Sequence, residues 1–171
     1  SVIPDMDPRK PAQADSGKLV ATMQKYNITS AFGSPVLWRK IAAHCETHTI
    51  ELPNIRRIFI AGAAAPPALV QKLITILPNA RILAPYGATE ALPLSVADAN
   101  DILETRESTE KGEGSCLGKP LPNIDVRILP VCNSPIPNLD EIEDCCGNPS
   151  LKWTESTNKS EGFENVFVEC T

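Results

Sequence analysis

The stretch Arg81-Ile-Leu-Ala-Pro-Tyr-Gly-Ala-Thr-Glu-Ala-Leu-Pro93 sets side chains of four different chemistries within five residues. Tyr86 offers a flat aromatic face on which a purine can stack, and Gly87 lets the backbone approach a ligand closely. Thr89 can hydrogen-bond a phosphate oxygen. Glu90 supplies a hard carboxylate oxygen of the kind Mg²⁺ prefers. Together these groups suit a nucleotide held by its base, its phosphates and a metal ion. The same five residues also describe a polar turn after a buried strand, and five residues alone do not choose between the two.

The elements that would position them can be read in the flanking chain. The apolar run Ile82-Leu83-Ala84 predicts a buried strand that stops at Pro85, with an exposed turn over residues 86–90. Upstream, Arg57-Ile-Phe-Ile-Ala61 predicts a second buried strand, followed by the small-residue loop Gly62-Ala-Ala-Ala65. Ile28-Thr-Ser-Ala-Phe32 predicts a third strand, ended by Gly33. Helices are expected between them. The first starts from an Asp15 or Ser16 cap, with Leu19, Val20, Met23 and Tyr26 on its apolar side. The second opens at Ser34-Pro35 and runs to about His48, with Leu37, Ile41 and Cys45 inward. The third opens at Pro66-Pro67 and runs to about Leu77.

Strand–helix–strand–helix–strand favours parallel strands joined by right-handed crossovers, hence an α/β fold with a mostly parallel sheet flanked by helices. In such sheets ligands bind outside the carboxyl ends of the strands. The Gly62–Ala64 backbone and the Tyr86 ring should then face one crevice and sandwich a flat base. Read alone, Gly62–Ala65 is better explained by close packing where a helix begins.

Residues 1–15 read as an extended, proline-rich connection, and residues 94–111 as a polar helix or loop. The carboxylates Asp98, Asp101, Glu104, Glu107 and Glu110 in that stretch read as a solvated surface rather than a paired acid–base site. Lys111-Gly-Glu-Gly-Ser-Cys-Leu-Gly-Lys-Pro120 is glycine-rich but lacks the Gly-Lys-Ser/Thr of a phosphate-binding P-loop. Ile124-Asp-Val-Arg-Ile-Leu129 alternates like a half-buried strand. Beyond Pro130 the apolar pattern fades. Residues 1–130 are therefore expected to form one structural unit, and residues 131–171 a divergent tail too poor in apolar periodicity to offset its ordering cost.

Composition narrows the partners. The 171 residues carry 16 Lys+Arg against 21 Asp+Glu, a net charge of −5, with no clustered basic face. That argues against nucleic acid or an anionic membrane surface as a main partner. No apolar run approaches the roughly 18 residues of a membrane span. The six cysteines form no Cys-x-x-Cys pair, which suggests reduced thiols and a cytoplasmic setting. Asn27-Ile-Thr29 and Asn158-Lys-Ser160 would matter as glycosylation sequons only in a secreted protein. His44 and His48 have the i, i+4 spacing of metal ligands but no adjacent Glu, and read as an ordinary helix surface. The opening residue is Ser1, so a stretch of a longer polypeptide is expected.

Three motifs in order carry a specific resemblance: Arg57-Ile-Phe-Ile-Ala-Gly-Ala-Ala-Ala-Pro-Pro67, Pro85-Tyr-Gly-Ala-Thr-Glu90 and Gly118-Lys-Pro-Leu-Pro-Asn-Ile-Asp-Val-Arg127. Their order and separation resemble the central part of the large N-terminal domain in the adenylate-forming superfamily of acyl-CoA synthetases, luciferases and peptide-synthetase adenylation domains. The wording Ala31-Phe-Gly-Ser-Pro35, Pro85-Tyr-Gly-Ala-Thr-Glu-Ala-Leu-Pro93 and Glu104-Thr-Arg-Glu-Ser-Thr-Glu110 looks most like the olefin β-lactone synthetases, often labelled fatty-acid–CoA ligases. The likeness covers roughly residues 4–130.

The resemblance implies an ATP-dependent ligase that forms an acyl-adenylate. Tyr86 and Gly87, with Gly62, Ala63 and Ala64 opposite, would hold the adenine of ATP or AMP. Thr89 would bind the α-phosphate and Glu90 would hold Mg²⁺. Phe32 would border the acid. It implies a small-molecule acid as substrate, a long-chain β-hydroxy acid closing to a β-lactone, or else a fatty acid passed to coenzyme A. The family's Ser/Thr/Gly/Lys-rich phosphate loop, its ribose-binding Tyr-x-Thr-Gly-Asp and its C-terminal catalytic lysine have no counterpart in these residues. A fragment inactive by itself, or a non-catalytic binder of nucleotide or of a partner chain, is the expectation for this chain alone.

Overall fold

Each long helix begins where the sequence supplies a cap or a proline start. In the computed structural model, which describes residues 1–122 and residue 124, Asp15 caps α1 (Ser16–Lys25) by accepting from the Lys18 N–H. Ser34 does the same for α2 (Pro35–His48) through the Leu37 N–H, with Pro35 at the first helical position. α3 (Pro67–Ile76) opens on a proline pair, whose missing N–H groups would have had no helical partner anyway.

Between the helices lie β1 (Ser30–Gly33), β2 (Arg57–Ile60) and β3 (Arg81–Ala88), parallel and in sequence order. β3 then turns back antiparallel into β4 (Ala91–Asp98), and β4 pairs with the short β5 (Lys119–Pro120). The result is a five-stranded mixed sheet in the order β1-β2-β3-β4-β5. Two short helices, α4 (Ala99–Glu104) and α5 (Arg106–Glu110), follow β4.

The helices pack side by side, α1 on α2, α2 on α3, α3 on α4, and cover one face of the sheet. Ile58, Ile60 and Ile82 point into that layer and meet Trp38, Ile41, Val70 and Leu73, all of them buried. Burying such side chains contributes about 1.5–3 kcal/mol each, so this layer carries most of the stability of the described residues. Trp38 is tied in further by its Nε1–H, which donates to the Phe59 carbonyl at 3.3 Å.

The structure corrects the sequence reading at several points. β3 does not stop at Pro85 but runs three residues further, to Ala88, in its pairing with β4, while its pairing with β2 ends at Leu83. Pro85 is tolerated because the strand there has a partner on one side only. The exposed turn shrinks accordingly from residues 86–90 to Thr89 and Glu90. The helix or loop expected from residue 94 begins as strand β4, and only Ala99 onward is helical. α2 turns Trp38, Ala42 and Cys45 inward around Ile41 and leaves Leu37 half-buried. Tyr26 is exposed at the end of α1 instead of lying on its apolar side. Within residues 1–15 a short 3₁₀ turn, Pro11–Gln13, interrupts the extended connection. The strand expected at 124–129 and the tail 131–171 lie outside the described residues.

Candidate functional site

β2 and β3 are direct parallel neighbours, with Arg57 opposite Arg81, Ile58 opposite Ile82 and Phe59 opposite Leu83. The loop Ala61–Pro66 leaves β2 after Ile60, and beside it β3 runs on through Tyr86 to Ala88 before the Thr89–Glu90 turn. This is the adjacency expected of a ligand crevice at strand ends.

On the β2 side, Gly62, Ala63 and Ala64 are all exposed, and Gly62 has φ +87°, a left-handed conformation that glycine adopts without steric cost. A Cβ at Gly62 would meet no atom within 4 Å, so its backbone stands open to an incoming group. Immediately after the loop, α3 presents its N-terminus.

On the β3 side, Tyr86 is 45% exposed. Ala88 pairs with Ala91, leaving Thr89 and Glu90 as a two-residue connection at the tip of the β3–β4 hairpin, both exposed. Gly87 answers to the hairpin itself. A Cβ there would come within 2.9 Å of a Leu92 methyl and press on the Ala91 carbonyl oxygen, beside a register shift between Tyr86 and Ala88. Close backbone approach is thus required at Gly87 by the protein's own return strand, whatever else binds nearby.

Phe32 is not beside these groups. It lies on β1, one residue before its end, with β2 between it and β3, and it pairs with Phe59 on the sheet face away from the helices, 71% exposed. Tyr86 has the opposite parity along its strand: it pairs with Ser95, whose neighbour in alternation, Ala97, is fully buried against the helices. Phe32 and Tyr86 therefore project from opposite faces of the sheet.

One residue of the site region escaped the sequence reading. Ser95, buried on β4 across from Tyr86, donates its hydroxyl to the Leu117 carbonyl at 2.7 Å. It thereby anchors the glycine-rich loop, residues 111–118, to the strand that backs Tyr86. The available signal was a lone hydroxyl inside Leu94-Ser-Val-Ala97, a position where a buried polar side chain must find a partner.

Glu90 makes no salt bridge among the described residues. No group of three or more His, Cys, Asp or Glu side chains placed to hold a metal occurs among them either. An exposed, unpaired carboxylate fits Mg²⁺, which keeps several waters and is held by one or two carboxylates plus substrate phosphates rather than by an all-protein cage. The residues present therefore fit that ion as a companion of a nucleotide.

The other candidates resolve as structure. His44 and His48 stack with ring centroids 4.1 Å apart, and His48 Nδ1 lies 2.8 Å from the His44 carbonyl oxygen, so they form helix surface. Cys45 and Cys116 are unbridged thiols, each pushed above the ordinary thiol pKa by burial, which keeps them protonated and unreactive. Asp98 and Asp101 form a reciprocal capping box at the start of α4. Glu110 and Glu107 pair with Arg106 and Lys111 along α5 and just beyond it. Of the acidic run, Glu104, Glu107 and Glu110 are exposed, while Asp98 and Asp101 are half-buried in the capping box. A cleft lined by Pro4, Asp5, Leu19 and Thr22 lies between the N-terminal segment and α1 and shares no residue with the site.

The AMP-binding enzyme family matches residues 6–141. Among curated proteins, olefin β-lactone synthetase from Stenotrophomonas maltophilia is 42% identical over 137 residues, covering 80% of this chain and 24% of the relative. The Xanthomonas campestris olefin β-lactone synthetase is likewise 42% identical, over 138 residues and with the same coverage. A long-chain-fatty-acid–CoA ligase from Thermus thermophilus is 27% identical over 127 residues, 72% of this chain and 23% of the ligase. Among solved structures, an amide bond synthetase from Marinactinospora thermotolerans superposes with a TM-score of 0.54 at 22% identity, over 68% of this chain and 23% of that one. At that identity it supports the fold alone. The chain spans about a quarter of the length of the curated relatives it matches.

Proposed function

The chain belongs to the AMP-binding enzyme family, and from that premise we propose that it carries the nucleotide-facing centre of an enzyme that activates a carboxylic acid with ATP. The observation that supports this best is the pairing of an open Gly62–Ala64 backbone with an exposed Tyr86–Glu90 tip at the ends of two adjacent parallel strands. Tyr86 stacks on adenine, with Gly62, Ala63 and Ala64 as the facing wall. Thr89 donates its hydroxyl to an α-phosphate oxygen, and Glu90 holds Mg²⁺ against the phosphates. Phe32, on the other face, borders the acid.

The chemistry explains why these residue types are needed. A carboxylate oxygen of the acid attacks the α-phosphorus, the bond to the bridging oxygen breaks, and pyrophosphate leaves with that electron pair. Two anions must be brought together, so donors and positive charge have to be in place beforehand. Mg²⁺, when bound, neutralises charge on the phosphate oxygens. The Thr89 hydroxyl steadies the α-phosphate while its charge redistributes.

For the acid itself, the 42% identity to olefin β-lactone synthetases supports a long-chain β-hydroxy acid. Its own hydroxyl then attacks the acyl carbonyl, AMP departs, and the hydroxyl proton passes to water. The nucleophile is intramolecular, so proximity replaces a second substrate. The Thermus ligase, at 27%, supports a second reading in which coenzyme A takes the acyl group. The 171 residues alone are expected not to turn over ATP, because the family's phosphate loop and catalytic lysine have no counterpart in them. A bare nucleotide- or partner-binding role is the reading that would remain if no enzyme containing this stretch activates an acid.

Acid-dependent exchange of labelled pyrophosphate into ATP by the full-length enzyme carrying this stretch tests the activity, and mass spectrometry of the product tests the acceptor. Exchange with a β-hydroxy acid and a product lighter than the acid by one water supports the lactone. Acyl-CoA as the main product selects the second reading. No exchange with any long-chain acid overturns both.

A further inference from the structure

Tyr86 stands where β3 has lost one of its two neighbours. Pairing with β2 ends at Leu83, so among the described residues only β4 holds β3 beyond that point, and the β3–β4 register shifts between Tyr86 and Ala88. A ring that stacks on a base needs a firmer mount than a one-sided strand beside a register shift. That support has to come from the outer side of β4, where Ser95 lies opposite Pro120 and Val96 opposite Lys119. The bond from the Leu121 N–H to the Leu94 carbonyl, 3.0 Å long, makes Ser95–Pro120 the kind of pair that exchanges no backbone bond. The same alternation turns the N–H and C=O of Ser95 toward Tyr86, its partner on β3. On the outer side the Ser95 side chain supplies the missing link, donating to the Leu117 carbonyl at 2.7 Å. Gly118 follows at once, buried with φ +75°, and a Cβ there would run into the Val96 carbonyl and the Ala97 nitrogen. The glycine-rich loop therefore lies backbone to backbone on β4 at the register of Tyr86.

We propose that Ser95 is a positioning residue for nucleotide binding, fixing Tyr86 by joining the one remaining partner of its strand to the glycine-rich loop. This rests on the reading of Tyr86 as the adenine platform. Ser95 is 4% exposed and its single O–H is committed to Leu117, so it does not meet the ligand itself. The ligand meets the Tyr86 ring, whose attitude follows the β4 backbone. Without the hydroxyl the Leu117 carbonyl loses its donor and the loop loosens from β4. The ring then samples more orientations, and each must be given up again when a base stacks on it. Phe32, on the other face and bordering the acid, has no part in this link, so the effect is confined to the nucleotide.

Ser95→Thr and Ser95→Val in the full-length enzyme carrying this stretch test this, because the two side chains share a shape and differ in the hydroxyl. ATP affinity is measured by isothermal titration well below the Tm of each variant, alongside KM for the acid. Ser95→Thr should bind ATP like the unsubstituted enzyme and Ser95→Val about fivefold more weakly, the scale of one lost hydrogen bond, with KM for the acid unchanged in both. A hydroxyl that merely holds the fold together would lower Tm and leave ATP affinity alone. Equal ATP affinity in the two variants overturns the proposal, and so does a rise in KM for the acid that matches the loss for ATP. In a Tyr86→Ala background, Ser95→Val should weaken ATP binding no further; a full fivefold loss there means that Ser95 does not act through Tyr86. Tyr86→Ala alone separates the two failures. Unaltered affinity in it removes the adenine reading and this proposal together, whereas weakened affinity in it with Ser95→Thr and Ser95→Val alike overturns the role of Ser95 alone. Should Ser95→Val not fold, Ser95→Ala, which adds no bulk to the buried site, takes its place with the same expectation.

Discussion

The two walls of the candidate site are built on different terms. The Gly62–Ala64 wall hangs between β2 and α3, where Ile58, Ile60, Val70 and Leu73 are almost wholly buried. The Tyr86–Glu90 wall is a hairpin that runs past the helical layer. Its side chains, Tyr86, Ala88, Thr89, Glu90 and Leu92, are exposed, and Leu92 is 67% so. One wall contributes backbone fixed by a core, the other contributes side chains that the core does not use. A substitution in the first should therefore act through folding, and one at the hairpin tip through ligand.

The sharpest way to break that contrast is to damage the core under the first wall. Leu73→Ala removes a fully buried side chain and should cost about 2–5 kcal/mol of stability, read by chemical denaturation of the 171-residue chain. A loss below about 0.5 kcal/mol, the range of ordinary surface changes, would mean that α3 does not carry this wall. Next in size, Tyr86→Ala should leave stability within about 0.5 kcal/mol yet weaken nucleotide binding in the full-length enzyme by about 1–3 kcal/mol through lost stacking. Isothermal titration with ATP measures it, and unaltered affinity removes Tyr86 from the adenine site.

Two smaller effects place the caps on the structural side of the comparison. Asp98→Ala deletes the capping box of α4 and should cost about 1 kcal/mol, with ATP affinity unchanged. Asp15→Asn keeps the cap of α1 but removes its charge. The Lys18 N–H holds the Asp15 carboxyl below its ordinary pKa, so its charged form stabilises the fold above that ordinary value. This stability is lost as pH falls through the depressed value. Asp15→Asn should flatten the acid limb of a Tm-against-pH curve by slightly lowering Tm at neutral pH, where the charged form contributes, and leaving it unaltered at low pH.

What could be read from the sequence was what is written locally. Asp15, Ser34-Pro35 and Pro66-Pro67 mark helix starts by chemistry that needs no distant partner, and all three helices begin there. The strands β1 to β3 announce themselves as short apolar runs. β4 does not. Ala91-Leu-Pro-Leu-Ser-Val-Ala-Asp98 contains a proline and no clean alternation, and it is a strand only because β3 lies beside it. Trp38 takes the fully buried place and Leu37 packs half-buried at its edge because helix faces repeat at three and four residues together, so Trp38, Ile41, Ala42 and Cys45 form a tighter stripe than Leu37, Ile41 and Cys45. At the site, spacing and resemblance carried the residue types. That Phe32 and Tyr86 project from opposite faces follows from strand register, which no local motif encodes.

Glu90→Gln, followed by acid-dependent pyrophosphate exchange in the full-length enzyme across a Mg²⁺ series, tests the account most directly. The substitution keeps size and hydrogen bonding and removes only the charge. At an exposed hairpin tip it should change stability by no more than about 0.5 kcal/mol, checked by thermal unfolding. The expected result is an intact fold with acyl-adenylate formation lowered by orders of magnitude, most severely at limiting Mg²⁺. Exchange at the unsubstituted rate when Mg²⁺ is limiting would contradict it and return Glu90 to a solvated turn.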